Sequence, residues 1–276
     1  MTAQERASHA SADTKRRRRD RDRTAWQQSW GQFSLSITLA VLILWSWHGS
    51  DIDLARLGAS GGRIVDFLAR MMPPDLSVLP VVIESSAETL RIAVLGTVGC
   101  ILFSIVFGVL AARTLTPAWV HVPIKGLLAV IRGVPLILVA MLMVGAVGLG
   151  ALPGILAIAF HATGMLAKFY AEAIEGVDSA PIEALESAGA TFLQKLRFGA
   201  WPQMAPDIVR DTLFRFEMNL RESLILGIVG AGGIGFYIQT YVRTFQYEKV
   251  ATLTIVVVAF IVLIELANNA IRTLLR

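Results

Sequence analysis

Six residues in the last quarter of the chain, GAGGIG at Gly230 to Gly235, have the G-x-G-x-x-G spacing with which backbone N–H groups cradle a pyrophosphate. That chemistry needs a strand before the glycines, a helix after them and an acid about 20 residues further on. Here the preceding Leu224 to Val229 reads as apolar helix, and the next acid, Glu248, comes only 13 residues after Gly235. The nucleotide reading fails on this context. No catalytic constellation takes its place. A phosphate loop G-x-x-x-x-G-K-[ST] is missing, and the four histidines (His9, His48, His121, His161) are scattered. A single cysteine, Cys100, builds neither a disulfide framework nor a cysteine metal site. His161 lies in an apolar run, where a buried hydrogen-bonding role is expected. The chain is read as having no catalytic site, no metal site and no cofactor of its own.

Charge is the remaining source of chemistry. The segment DIVRDTLFRFEMNLRE, Asp207 to Glu222, holds Arg210, Asp211, Arg215, Glu217, Arg221 and Glu222 beside an uncharged stretch, Ser223 to Val242. Charges in a membrane span cost about 2.5 to 3.5 kcal/mol each on insertion scales, so these must face protein or water and pair. At about 100° per residue they form two stripes, Arg210, Glu217 and Arg221 on one and Asp211, Arg215 and Glu222 on the other. Glu217 with Arg221 and Asp211 with Arg215 have i, i+4 spacing in the favourable order. Two roles fit: salt-bridged helix packing, or a stripe lining a transport pathway in which Arg221 helps an anion cross. Arg132, in IRGVPLILV, is a similar candidate, because Pro135 should loosen its helix and free a carbonyl, a device used where a helix lines a cavity.

The elements that must position these residues follow from composition. Hydrophobic residues make up 55% of the 276 and charged residues 17%, which a water-soluble domain could not present at its surface. A bilayer core needs about 20 apolar residues per helix, and roughly six stretches qualify: Phe33 to His48, Thr89 to Ala112, two from Gly126 to Tyr170 split by GAVGLGALPG at Gly145 to Gly154, one within Asp207 to Val242, and Val250 to Ile271. An all-α integral membrane protein with six transmembrane helices is expected. The run KRRRRDRDR at residues 15–23 would suit nucleic acid, but ahead of an apolar span it reads as a cytoplasmic positive-inside tail, with no nucleic acid partner. Phe33 to Trp47 is followed by HGSDID with no small-x-small cleavage site, so an uncleaved first span is expected. Basic residues concentrate in alternate connections, which puts both termini in the cytoplasm and makes the chain a multi-pass cell-membrane protein among lipid. Between the first two spans, Leu54, Leu57, Ile64, Phe67, Leu68 and Met71 recur at helical spacing, which predicts an amphipathic helix on the outer surface. The chain thus divides into a basic tail (1–30), a first span with the outer amphipathic segment (31–83) and a transmembrane domain (84–276).

The longest cytoplasmic connection is DSAPIEALESAGATFLQKLRFGAWPQMAP, Asp178 to Pro206. Pro181 suits the first turn of a helix and Gly189 its C-terminal stop. Thr191 with Gln194 forms a capping box that starts a second helix, expected to end before Pro202. Glu183 and Glu186 stand at i, i+3 among the small residues Ala184, Ala188 and Ala190, a combination suited to insertion into a groove of another protein.

EALESAG, Glu183 to Gly189, followed by AWPQ, resembles the EAA loop of ABC importer permeases, whose pattern is E-A-A, three residues, G, nine residues, then I-x-L-P. Glu183, Ala184, Gly189 and Pro202 match at the right spacing; Leu185, Gly199 and Trp201 depart from it. ETLRIAVLGT (Glu88 to Thr97), RGVP (Arg132 to Pro135) and FEMNLRESLILGIVGAGGIG (Phe216 to Gly235) resemble the phosphonate-type permeases of that superfamily. Those usually carry an acid after the R-x-x-P proline, where this chain has Leu136. The resemblance implies a type I ABC importer fold, with the loop at about 178–202 coupling the chain to an ATPase through Glu183, Ala184, Glu186, Gly189 and Pro202. It implies a second permease copy, a cytoplasmic ATPase dimer that binds ATP and Mg, and an extracytoplasmic solute-binding protein. The implied substrate is a phosphonate, phosphate or phosphite. Gly230, Gly232, Gly233 and Gly235 then read as a bend near an outer gate, and Arg132, Arg215, Glu217, Arg221 and Glu222 as pathway candidates. A methionine-type amino-acid permease is the alternative within this class, and a six-span channel or a membrane-embedded enzyme the alternative outside it.

Overall fold

The computed structural model describes residues 33, 35–50 and 54–274; the basic tail expected at residues 1–30, His9 included, lies outside the described residues. Among the described residues every regular element is helical. An apolar helix α1 (Leu35–Gly49) is followed by α2 (Leu54–Arg70), the amphipathic helix expected there. Chain contacts divide the protein within α2, between Asp66 and Phe67. The second unit carries the elements discussed from here on.

A 3-10 turn at Leu76–Val78, capped by Asp75, whose carboxylate accepts from the Ser77 N–H at 2.9 Å, leads into α3 (Leu79–Ala111). At 33 residues and 1.5 Å per residue, α3 is about 50 Å long and outruns the ~30 Å hydrocarbon core of a bilayer. It packs along its length on α6 (Ala151–Glu175). The approach is close because Gly108 faces α6: a Cβ there would stand 2.8 Å from Tyr170 Cβ. Ile92 and Cys100 of α3, Ile158, Ala162 and Leu166 of α6 and Leu226 fill the core between them. Large apolar side chains such as Leu102, Phe103 and Val106 on α3, Leu142 and Leu263 are exposed, as helices bathed in lipid require and helices in water do not.

The region expected to hold the third and fourth spans resolves into α4 (Ala118–Gly133), α5 (Leu136–Val147) and α6. Pro135 does more than loosen its helix: α4 stops at Gly133, Pro135 caps α5, and the two axes differ by 86°. Lacking an N–H, Pro135 cannot donate to Ile131, and its ring disfavours helical backbone at Val134, which is extended. The second break is only Gly148 to Gly150, narrower than GAVGLGALPG, and Gly154 lies inside α6.

After α7 (Ser179–Ser187) and a turn α8 (Phe192–Gln194), the second helix of the long connection does not end before Pro202. A π-helical turn, Lys195–Ala200, carries it into α9 (Trp201–Leu226). Trp201 N–H bonds the Leu196 carbonyl five residues back, and Pro202, which has no N–H to donate, follows this wider turn as the second residue of α9. A 3-10 turn at Gly227–Val229 and the glycine segment lead to α10 (Ile234–Arg243), bent 42° from α9. The last helix is α11 (Tyr247–Leu274). Thr252 Oγ1 donates to Asp75 O at 2.8 Å, and Asp75 N–H donates to Glu248 O, tying the start of α11 to the turn before α3. Among the described residues, three helices are long and apolar enough to cross a membrane, or up to five if each bent pair is one span, with the shorter apolar α1 besides.

Candidate functional site: a helical corner and a charged helix

The corner at residues 178–203 is built from short-range signals. Asp178 caps α7 by accepting from Ala180 N–H at 3.0 Å. At the other end Gly189 takes φ +76°, the left-handed geometry that favours glycine, while Ala190 N–H closes on the Leu185 carbonyl. Gln194 Oε1 then accepts from Thr191 N–H at 2.8 Å, as the capping box predicts. Ile182 and Leu185 turn inward onto Gly199, where a Cβ would stand 3.1 and 3.2 Å from their side chains. The two main departures from the EAA pattern therefore touch: a large residue stands where the pattern has alanine, and glycine stands where it has isoleucine. The outward face of α7 presents Glu183, Ala184, Glu186, Ser187 and Ala188, all exposed. Glu186 pairs with Lys195 at 3.3 Å and Glu183 makes no ion pair among the described residues.

Gln203, which sequence reasoning missed, fastens this corner to the span. Its amide accepts from Asp178 N–H at 3.0 Å and donates to Gly199 O at 2.8 Å and Asp178 O at 3.3 Å. Glu175, also missed, ties three helices at the same end: its carboxylate accepts from Arg113 N–H at 2.9 Å and pairs with Arg113 at 3.0 Å and Lys125 at 2.9 Å.

Within α9 the two charged stripes part company. Glu217 and Arg221 pair at 2.7 Å as expected, with Arg221 also 4.0 Å from Glu265 of α11. Asn268 Nδ2 donates to Glu217 at 3.3 Å, so this stripe lies against α11. The expected Asp211–Arg215 pair does not form. Asp211 meets Arg210 at 3.2 Å, and Arg215 reaches Glu222 at 2.7 Å, seven residues on. The reason is burial: Arg215 is 3% exposed and turns into the bundle, where its Nη1 lies 3.7 Å from Met165 of α6. Asn219, 0% exposed, donates to Thr97 of α3 at 2.9 Å. His161 is part-buried where α4 gives way to α5, its ring against the Ile131 and Val134 backbone, and its Nδ1 is left without a partner of good hydrogen-bond geometry. Arg132 is exposed in the last turn of α4.

The glycine segment is a tight backbone crossing. Gly230, Gly232 and Gly233 all have φ near +80°, and a Cβ on Gly235 would fall 2.0 Å from the Leu224 carbonyl oxygen. Ile234 N–H donates to Thr89 Oγ1 of α3 at 2.9 Å, and Gly150 N–H to Gly230 O at 3.1 Å. The segment is thus fastened to the α3 side chain of Thr89 and to the Gly150 backbone ahead of α6.

Residues 104–276 match the family of binding-protein-dependent transport system inner membrane components. The chain belongs to this family. Among relatives of this inner membrane component is the phosphite transport system permease protein PtxC of Stutzerimonas stutzeri, 37% identical over 251 residues and 90% of each chain. The phosphate-import permease protein PhnE of Mycolicibacterium smegmatis is 38% identical over 84% of this chain and 44% of its own length. In fold, the permease resembles the MetNI methionine ABC transporter in its inward-facing conformations, with a TM-score of 0.64 at 20% identity, covering 73% of this chain and 99% of that one. The membrane setting read from composition and the phosphonate-type resemblance both stand.

Proposed function

We propose that this chain is the permease subunit of an ATP-driven importer carrying a phosphonate or related oxyanion, phosphate or phosphite, into the cytoplasm. The observation that carries this reading is the 37% identity to a phosphite permease across 90% of both chains. The amino-acid transporters that share the fold do so at 20% identity, a likeness of architecture alone. On this reading α1 is the first of six spans, each bent pair is one span, and both termini face the cytoplasm. Two copies pair, and a solute-binding protein delivers the oxyanion from outside.

The exposed face of α7, with Glu183, Ala184 and Glu186 turned at Gly189 and anchored near Pro202, is the surface for a separate ATPase that carries ATP and Mg. Arg221, exposed, and Glu217, half-buried, both against α11, are the better pathway candidates on α9; Arg215 and Glu222 support them from inside the bundle, and Arg132 lies at the α4 break. Gly230 to Gly235 form the bend beneath the outer gate.

The test is ATP-driven uptake into proteoliposomes holding the chain with its ATPase and binding protein. Labelled phosphite, phosphate or phosphonate should accumulate, and methionine should not. Methionine uptake without oxyanion uptake overturns the substrate class. Glu183→Ala should leave the protein in the membrane yet cut uptake per ATP hydrolysed at least tenfold.

A further inference from the structure

A cavity of about 180 Å³ opens between α4 and α6, beside the point where the two helices meet. They approach closely: a Cβ on Gly164 would stand 3.0 Å from both Arg132 N and Leu128 O and 3.1 Å from Ile131 Cγ2, so position 164 has no room for a side chain. The charged residues around the cavity are Lys125, Arg132, Lys168, Glu172 and Glu175. Both acids are engaged, Glu175 by Lys125 at 2.9 Å and Glu172 by Lys168 at 3.3 Å. Arg132 makes no ion pair among the described residues. The lining therefore carries one cation more than its acids neutralise, on a helix that passes through the apolar zone, where an unmatched charge is costly. Lys168 stands seven residues before the end of α6, about 10 Å along its axis.

We propose that this cavity is a binding site for a phosphate-like oxyanion, held by the Arg132 guanidinium with Lys168 as the second cation. A guanidinium offers a planar fork that matches two oxygens of such a group. The cavity is smaller than the ~300 Å³ at which small-molecule sites usually begin, so it fits a compact charged group rather than a nucleotide. Two sources have this chemistry: a free oxyanion on its way through the protein, and the headgroup phosphate of an anionic lipid drawn between the helices, a known use of basic pockets between spans. The site uses no residue of α9 and stands apart from the assignment of that helix to the pathway.

The experiment uses the full chain copurified with its ATPase in nanodiscs of phosphatidylcholine alone and of phosphatidylcholine with one-fifth phosphatidylglycerol. Equilibrium binding of labelled inorganic phosphate is measured in the first, and phosphatidylglycerol retained after delipidation in the second. Wild type should bind one of the two probes. Phosphate binding in pure phosphatidylcholine assigns a free oxyanion, and lipid retention without it assigns a headgroup. Arg132→Gln should weaken binding about tenfold, Lys168→Gln less, and Arg132→Lys least; Arg70→Gln, a cation outside the cavity, should match wild type. Should Arg132→Gln fail to assemble, Lys168→Gln decides. Binding of neither probe by wild type, or equal binding by wild type and the cavity variants, overturns the proposal. Both measurements omit ATP and the binding protein, so their failure leaves the import reading untouched.

Discussion

At the residue scale, the charged positions of α9 were legible and their pairing was only half so. The i, i+4 rule that places Glu217 beside Arg221 holds on a helix surface, and that pair lies on the less buried side of α9. Arg215 escapes the rule because it is buried against Met165 of α6, with Glu222 as its carboxylate partner. The two arginines should therefore respond differently to truncation. Arg215→Ala leaves the part-buried Glu222 without its cation, a loss that reaches about 3 to 5 kcal/mol for a fully buried pair, so the complex should lose thermal stability and yield. Arg221→Ala leaves Glu217 still bonded to Asn268 of α11, so assembly should persist while uptake slows if Arg221 lines the path. Thermal unfolding of the purified complexes beside uptake rates separates the two; loss of assembly in Arg221→Ala would make it structural.

At the element scale, the helical corner was readable from its caps, because Asp178, Gly189 and the Thr191–Gln194 box act through local backbone geometry. What followed was not. Pro202 signals a stop only if the incoming helix is α-helical throughout, and the π turn at Lys195–Ala200 changes the hydrogen-bond register before the proline arrives. The contact of Leu185 with Gly199 likewise needed three dimensions, since fourteen positions separate them in sequence. It carries a prediction. Gly199→Ile alone overfills the contact and should destabilise the corner by about 1 to 3 kcal/mol, weakening ATPase copurification. Adding Leu185→Ala restores the volume and should recover most of it. A double variant no better than the single one would show that the two positions do not compensate.

At the scale of the whole molecule, the chain from Phe192 to Leu226 is helical without interruption, 35 residues through α8, the π turn and α9, or about 50 Å at 1.5 Å per residue. The six-stretch pattern made the membrane class plain, yet this continuity was hidden by two prolines. It matters because α7 is fixed to the foot of that rod in three ways: Ile182 and Leu185 on Gly199, Glu186 on Lys195, and Gln203 on Asp178. Gly189 supplies the corner rather than a joint, since α7 cannot swing about it without breaking those contacts. On the import reading, a push on α7 from an ATPase is delivered to α9, and through Arg215 and Asn219 to the α3 and α6 core. Gln203→Leu keeps the docking face of α7 intact and removes its polar tie to the rod. The ATPase should still copurify and hydrolyse ATP, while solute moved per ATP falls several-fold; unchanged coupling would mean that the apolar contact with Gly199 transmits the motion alone.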